Sequence, residues 1–309
     1  MVCRSNLLTR RPGGISEFGR CRLAIALYTL TVTRNSRSIL LAVAALVCAS
    51  PAVAQTGAMT VSDSLANFRL NAFSGPSTGN GATAFASSSG PGGPNYVNQA
   101  WWWARVNGID VREFAMYQST GVISAPTPTS IRVDYNNAFG RGWNISIAFS
   151  MRYLGGNAAV LTQNLTLTNN TGTTINNVEF FNYNNINVLG TASNDFAIAD
   201  TVNRVRFIDG ADARYVVDYE AIGASATSVT STSNASGVRN LLTNSTTDNL
   251  TPGIQSSGPG DLEVASQWNH TIAAGQSVTM SVVVVIIPSP AGLAVLGLAG
   301  ALALRRRRR

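Results

Sequence analysis

The sequence predicts an all-β protein, a single antiparallel β-sandwich, with a jelly roll as the close alternative. Three observations point there. Trp-Asn-Ile-Ser-Ile-Ala-Phe at 143–149 and Leu-Thr-Gln-Asn-Leu-Thr-Leu-Thr at 161–168 alternate with period 2, the pattern of strands that bury one face. Turn signals such as Asn169-Asn170-Thr171-Gly172 separate a series of short apolar runs, with Gly172 free to take a positive φ. The central region is rich in Asn, Thr, Ser, Gly and Val, poor in charge, and carries no long helical periodicity. Many short strands divided in this way indicate a sandwich.

From the N-terminus, residues 1–54 read as a targeting segment outside the fold. Arg34 and Arg37 precede an apolar run at 39–49, and Ala52-Val53-Ala54 supplies a small-x-small cleavage pattern. Together these make a secretory signal with cleavage between Ala54 and Gln55. The preceding residues 1–33 form a prefix without a convincing pattern, and a translation start near Leu30 or Val32 would account for it. Arg10-Arg11 is followed by Pro12-Gly13-Gly14 and lies far from the apolar run, which argues against a twin-arginine signal.

Residues 55–287 are then the folded body. Strands are expected at 65–73, 110–118, 130–135, 143–154, 159–169 and 175–188. Further strands are expected at 202–208, 215–222, 262–271 and 277–287, and a Gly/Ser/Pro-rich loop at 75–93. The runs 163–195 and 267–286 are also similar to the phrasing of exported bacterial β-sandwich modules, a resemblance that implies fold and little else.

Charge and cysteine usage change once the ends are set apart. The whole chain has 22 basic and 15 acidic residues and a net charge of +7. Seven arginines and Glu17 lie in 1–54, and five arginines end the chain. Positions 55–304 therefore keep 10 basic and 14 acidic residues, a net charge of −4. The basicity belongs to targeting, so nucleic acid is not an expected partner. Cys3, Cys21 and Cys48 all precede Gln55, so the body is expected to fold without disulfides or thiolate metal sites and to rely on a sizeable core.

Four features of the body could carry chemistry. His270 is the single histidine; it could act as a base or metal ligand, but a sheet-surface or edge side chain is favoured, and no Gly-x-Ser-x-Gly elbow precedes a helix. Asp195, Asp200, Asp209 and Asp212 lie close together and are hard oxygen ligands suited to Ca²⁺, yet their spacing fits no EF-hand. Turns that use Asp for backbone hydrogen bonding are favoured there. Glu113, Glu179, Glu220 and Glu263 could supply the two carboxylates of a glycosidase, though spacing cannot pair them. No catalytic residue, metal or cofactor is therefore expected. Trp101, Trp102 and Trp103 could offer rings to a sugar. Consecutive strand residues point to opposite faces, so at least one of them should be core, and packing is favoured for all three.

The chain ends in Pro288-Ser289-Pro290, an apolar stretch of 14 residues at 291–304, and Arg305, Arg306, Arg307, Arg308 and Arg309. As a helix the stretch would be about 21 Å long, short of the ~30 Å bilayer core. Residues 282–287 would supply the missing length, but the prolines interrupt a helix there and the valine run also reads as a strand. The arginines would hold the C-terminus on the cytoplasmic side, with everything upstream outside. This tripartite tail resembles the PEP-CTERM sorting signal of bacterial exported proteins, with Ser289 where that pattern most often has Glu. The resemblance implies export machinery and signal peptidase as partners, transient residence in the inner membrane, and removal of 288–309 by an exosortase-type enzyme. The expected function is a non-catalytic cell-surface or extracellular-matrix protein associated with envelope or exopolysaccharide. The alternative is a carbohydrate-binding module or glycan-active enzyme delivered by the same route.

Overall fold

The structure is a computed structural model that describes residues 58–71, 83–233 and 237–287. Its described residues build two large sheets packed face to face, almost entirely antiparallel. The first holds β1 (Ala58–Asp63), β2 (Ala66–Asn71), β3 (Thr83–Ser87), β4 (Val97–Val106), β10 (Ile175–Ile186), β16 (Leu262–Ile272), β14 (Ala226–Ser231) and β15 (Gly253–Ile254), in that spatial order. The short β5 (Phe114–Ala115) pairs with β4. The second sheet runs β11 (Asp195–Thr201), β12 (Arg204–Asp209), β13 (Val216–Ile222), β17 (Ser277–Ile287), β9 (Ala158–Asn169), β8 (Trp143–Gly155), β7 (Ser130–Ala138) and β6 (Val122–Thr127). One short helix, α1 (Val238–Thr243), lies between β14 and β15 in the chain.

The period-2 stretches sit where alternation requires. β9 buries every second residue, and β8 turns Ile145, Ile147 and Phe149 inward. They face the first sheet, as Phe68 of β2 stacks on Phe149 with ring centroids 5.3 Å apart. The core between the sheets also carries a polar belt. Gln163 of β9 donates to Asn184 of β10 at 2.7 Å and accepts from Asn182 at 3.1 Å, while the Tyr219 hydroxyl of β13 lies 2.9 Å from Ser266 Oγ of β16. Each bond crosses from one sheet to the other, so satisfying these groups fixes how the sheets sit on one another.

The other face of the first sheet is covered as well. Residues 237–250, with Val238, Leu242 and Leu250 buried, lie against β14 and β16 and reach β4 through Arg105, and Met116 after β5 is buried. This explains the main departures from the expected strands. β4 is buried along almost its whole length, and a strand covered on both faces shows no alternation. The expected strand at 110–118 reduces to β5 and a 3-10 turn at Met116–Gln118. The expected loop at 75–93 contains β3. The Asp-rich stretch, read as turns, contains β11. β17 and β16 lie within one residue of expectation. Among the described residues no helix is long and apolar enough to cross a membrane.

Candidate functional site

Trp101, Trp102 and Trp103 are all buried, at 0, 0 and 1% exposure. They occupy both faces of β4. Trp102 looks into the core against Trp268, 5.5 Å away, and Trp103 meets Tyr183 edge-on at 6.0 Å beneath residues 237–250. No ring face is open to a sugar, so the favoured packing reading describes all three and the lesser glycan-contact reading does not: the covering segment turns the outward rings into a second layer of core.

The same covered face holds an ionic cluster. Arg105 of β4 pairs with both Glu113 and Glu179, all three almost fully buried. It also donates to the Asp248 carbonyl at 2.7 Å and to Asn249 Oδ1 at 2.5 Å, and lies 5.2 Å over the Phe181 ring. The Asp248 amide donates to Glu113 at 2.9 Å, and Leu250 N–H donates to Gln267 Oε1 at 2.9 Å. Burial pushes the Glu113 carboxyl up against the opposing pull of the Asp248 amide and Arg105. Glu263 accepts from Thr230 and from the Arg239 amide, and Tyr183 O–H donates to it at 3.0 Å. Glu113 and Glu263 thus hold the covering segment directly, Glu179 does so through Arg105 and Gln267, and Glu220 lies on β13 in the other sheet.

Asp195 and Asp209 are directly opposite in the β11–β12 pair and both are buried. Asp209 accepts from the amides of Ala211 and Asp212 and from Thr191, as an acid in a turn does. Asp195 Oδ2 accepts from Val188 N–H at 3.1 Å, whereas Oδ1 is buried without a partner. Its carboxyl is pushed up to about 8, chiefly by burial and further by Asp209 and Asp261, with the Val188 amide opposing. Loop 257–261 is pressed against this strand. At Gly258, φ +98°, a Cβ would come 2.0 Å from the Asp195 carbonyl oxygen, so only glycine fits. Asp212 is instead paired with Arg214 on the surface, and the Asp200 side chain lies outside the described residues. Among the described residues, no three His, Cys, Asp or Glu converge as metal ligands. His270 sits half-buried on β16 at 6.4 Å from the Phe180 ring, its Nε2 without a partner and its pKa lowered by burial.

One opening lies at an end of the sandwich. A cleft of about 370 Å³ is bounded by the end of β4 with Asn107 and Ile109, by Arg141 and Trp143 at the β7–β8 turn, and by 171–177 between β9 and β10. Asp110 fixes one wall: it accepts from Arg141 through both carboxylate oxygens, at 2.5 and 2.7 Å, and from Val106 N–H at 2.6 Å. The Arg141 guanidinium is sandwiched between Phe114 and Trp143, 5.3 and 5.2 Å from their centroids. Asn170 N–H donates to the Gly142 carbonyl at 3.0 Å and Asn107 N–H to the Asn177 carbonyl at 2.9 Å, tying the three loops together. Sequence reasoning missed this cleft, since its walls come from segments far apart in the chain. The available signal was Asn176-Asn177 close after the Asn169-Asn170-Thr171-Gly172 turn.

Ala52, Ala54, Gln55, Pro288, Ser289, Pro290 and Arg305, Arg306, Arg307, Arg308 and Arg309 lie outside the described residues. No protein-family model matches the chain, and no curated protein matches it. Among solved structures it is similar to a polysaccharide lyase at 14% identity and a TM-score of 0.38, over 71% of this chain and 32% of that one. It is also similar to a kojibiose phosphorylase from the human microbiome at 10% identity and a TM-score of 0.31, over 74% of this chain and 26% of that one. The chain therefore spans about a third or less of the length of these structures.

Proposed function

We propose that this chain is a non-catalytic protein exported to the cell surface or extracellular matrix, whose body is delivered by the N-terminal signal and processed at its C-terminal tail. The observation that carries the proposal is the way the body runs into the tail. β17 lies between β13 and β9 inside the second sheet and ends at Ile287. Pro288-Ser289-Pro290, the apolar stretch and the five arginines follow at once. A sorting tail attached there leaves the sandwich complete when it is removed. The absence of catalysis is supported by how the acids are used, because Glu113 and Glu179 are both held by Arg105 beneath residues 237–250.

Intact-mass analysis of the protein recovered outside the inner membrane tests both ends together. The expected species begins at Gln55 and lacks Arg305 to Arg309. Recovery of an exported form that retains its five arginines would replace sorting with a simple tail anchor. Residues upstream of Leu30 on that form would overturn the signal assignment.

A further inference from the structure

We infer that the cleft at the end of the sandwich bounded by Asn107, Arg141 and residues 171–177 is a binding site for a neutral glycan, displayed on the face of the protein farthest from its C-terminal tail. The display half of this inference rests on the proposed surface location; the binding half does not.

Size and preorganisation come first. Ligand sites are typically clefts of roughly 300–1,000 Å³, and this one, at about 370 Å³, is within that range. Its walls are held before any ligand arrives, by the doubly bonded Asp110–Arg141 pair and by the backbone bonds that join its three loops. A preformed site lowers the ordering cost of binding.

The groups it presents decide the ligand class. The pairing of β10 with β16 shifts register between Ile175 and Val178, and Asn177 takes φ +53° within that bulge. Bulges re-aim side chains and are common beside functional sites. Here the bulge places Asn176 and Asn177 on the cleft lining next to Thr174. All three are exposed, and their side chains make no hydrogen bond among the described residues. They are amides and a hydroxyl, able to donate and accept toward ring hydroxyls. Ile109, 76% exposed, adds an apolar contact for a sugar's C–H face. An anion is disfavoured because Arg141, the one charged residue of the lining, is neutralised by Asp110. A cation is disfavoured because both Asp110 oxygens are already occupied.

The fold also sets the direction in which the cleft faces. The β16–β17 turn lies beside the β9–β10 turn, where Gly275 N–H donates to the Asn169 carbonyl at 2.7 Å. From there β17 runs 11 residues to Ile287, roughly 35 Å at the rise of a strand. The chain therefore leaves the sandwich at the end opposite the cleft. A precursor still held by its tail would present the cleft outward, and the released body keeps the cleft at the end away from Ile287.

The test uses the protein purified from cells, applied to an array of neutral and uronate-bearing oligosaccharides. Three variants accompany it: Thr174→Val, Asn176→Ala and Asn177→Gly, the last keeping a residue at ease with positive φ. Binding of neutral glycans by the wild type, weakened tenfold or more by Asn176→Ala or Asn177→Gly at an unchanged melting temperature, is the expected result. Binding confined to acidic glycans would overturn the ligand class. No glycan binding, or binding that all three variants leave intact, would overturn the site. Display is checked separately by labelling Ile109→Cys on whole cells with a membrane-impermeant maleimide, as the chain has no cysteine after Cys48. A failure of labelling with array binding intact would refute the surface location and leave the glycan site standing.

Discussion

At the scale of single residues, the most informative group is Asp195. Its Oδ1 is buried without a partner, and its carboxyl is raised to about 8 by burial and by the nearby Asp209 and Asp261 carboxylates. Since the folded state holds this proton more tightly than the unfolded chain, its contribution to stability is fully present below the ordinary Asp value of 3.8 and is lost as pH rises toward 8. His270, lowered by burial, acts oppositely below about pH 6.5. Glu113, also raised by burial, acts in the same direction as Asp195, so the comparison of wild type with Asp195→Asn between pH 6.5 and 8.5 is what singles Asp195 out. Asp218, held low by Arg206 and Arg204 against its burial, is already ionised throughout that window. The melting temperature should therefore fall by several degrees between pH 6.5 and 8.5. Asp195→Asn, which cannot ionise, should flatten that slope and melt higher than wild type at pH 8.5. Differential scanning fluorimetry across the window decides it, and a wild-type slope of opposite sign would sink the assignment. Sequence reasoning found Asp195 and Asp209 as neighbours but could not see Asp261, which loop 257–261 brings in from 52 residues beyond Asp209 in the chain.

At the scale of elements, legibility followed exposure. Strands with one wet face, such as β8 and β9, alternate in sequence and were readable at nearly their true length. β4 was not, because residues 237–250 cover its second face and remove the alternation. Nor could composition reveal that segment as a lid on the sheet, since its attachment is long-range: Arg105 reaches Asp248 and Asn249, and Gln267 reaches Leu250. Arg105 is therefore the residue that fastens the element. Replacing one partner of a buried ionic cluster leaves uncompensated charge and typically costs about 3–5 kcal/mol. Arg105→Leu strands Glu113 and Glu179 together and should approach that cost, read as a lower urea midpoint. Its more specific signature is faster amide hydrogen exchange at 237–250 than in β8 and β9. Uniform loss of protection across both sheets would mean that the segment is not a separable cover.

At the scale of the whole molecule, the outstanding question is whether the chain could lend β17 to the membrane. The apolar stretch after Pro290 makes about 21 Å of helix against a core of about 30 Å, and residues 282–287 would close the gap. The fold opposes this. Val282, Val284 and Ile286 of that segment are buried in the core, and the strand pairs with β13 and β9 on its two sides. At roughly 1.5–3 kcal/mol for each such side chain, withdrawing these three would cost about 5–9 kcal/mol. That is comparable with the whole stability of an ordinary domain, about 5–15 kcal/mol. The sandwich therefore keeps β17, and any membrane residence must use the short stretch alone. The mismatch is a modest penalty, a fraction of a kcal/mol per Å, which suits a span that is occupied briefly. Two truncations separate the roles. Removing 288–309 should leave the urea midpoint of the body unchanged while abolishing its membrane-bound precursor. Removing 277–309 takes β17 as well and should prevent folding. A clear fall in the midpoint on removing 288–309 alone would show that the tail belongs to the fold, and the sorting proposal would fall with it.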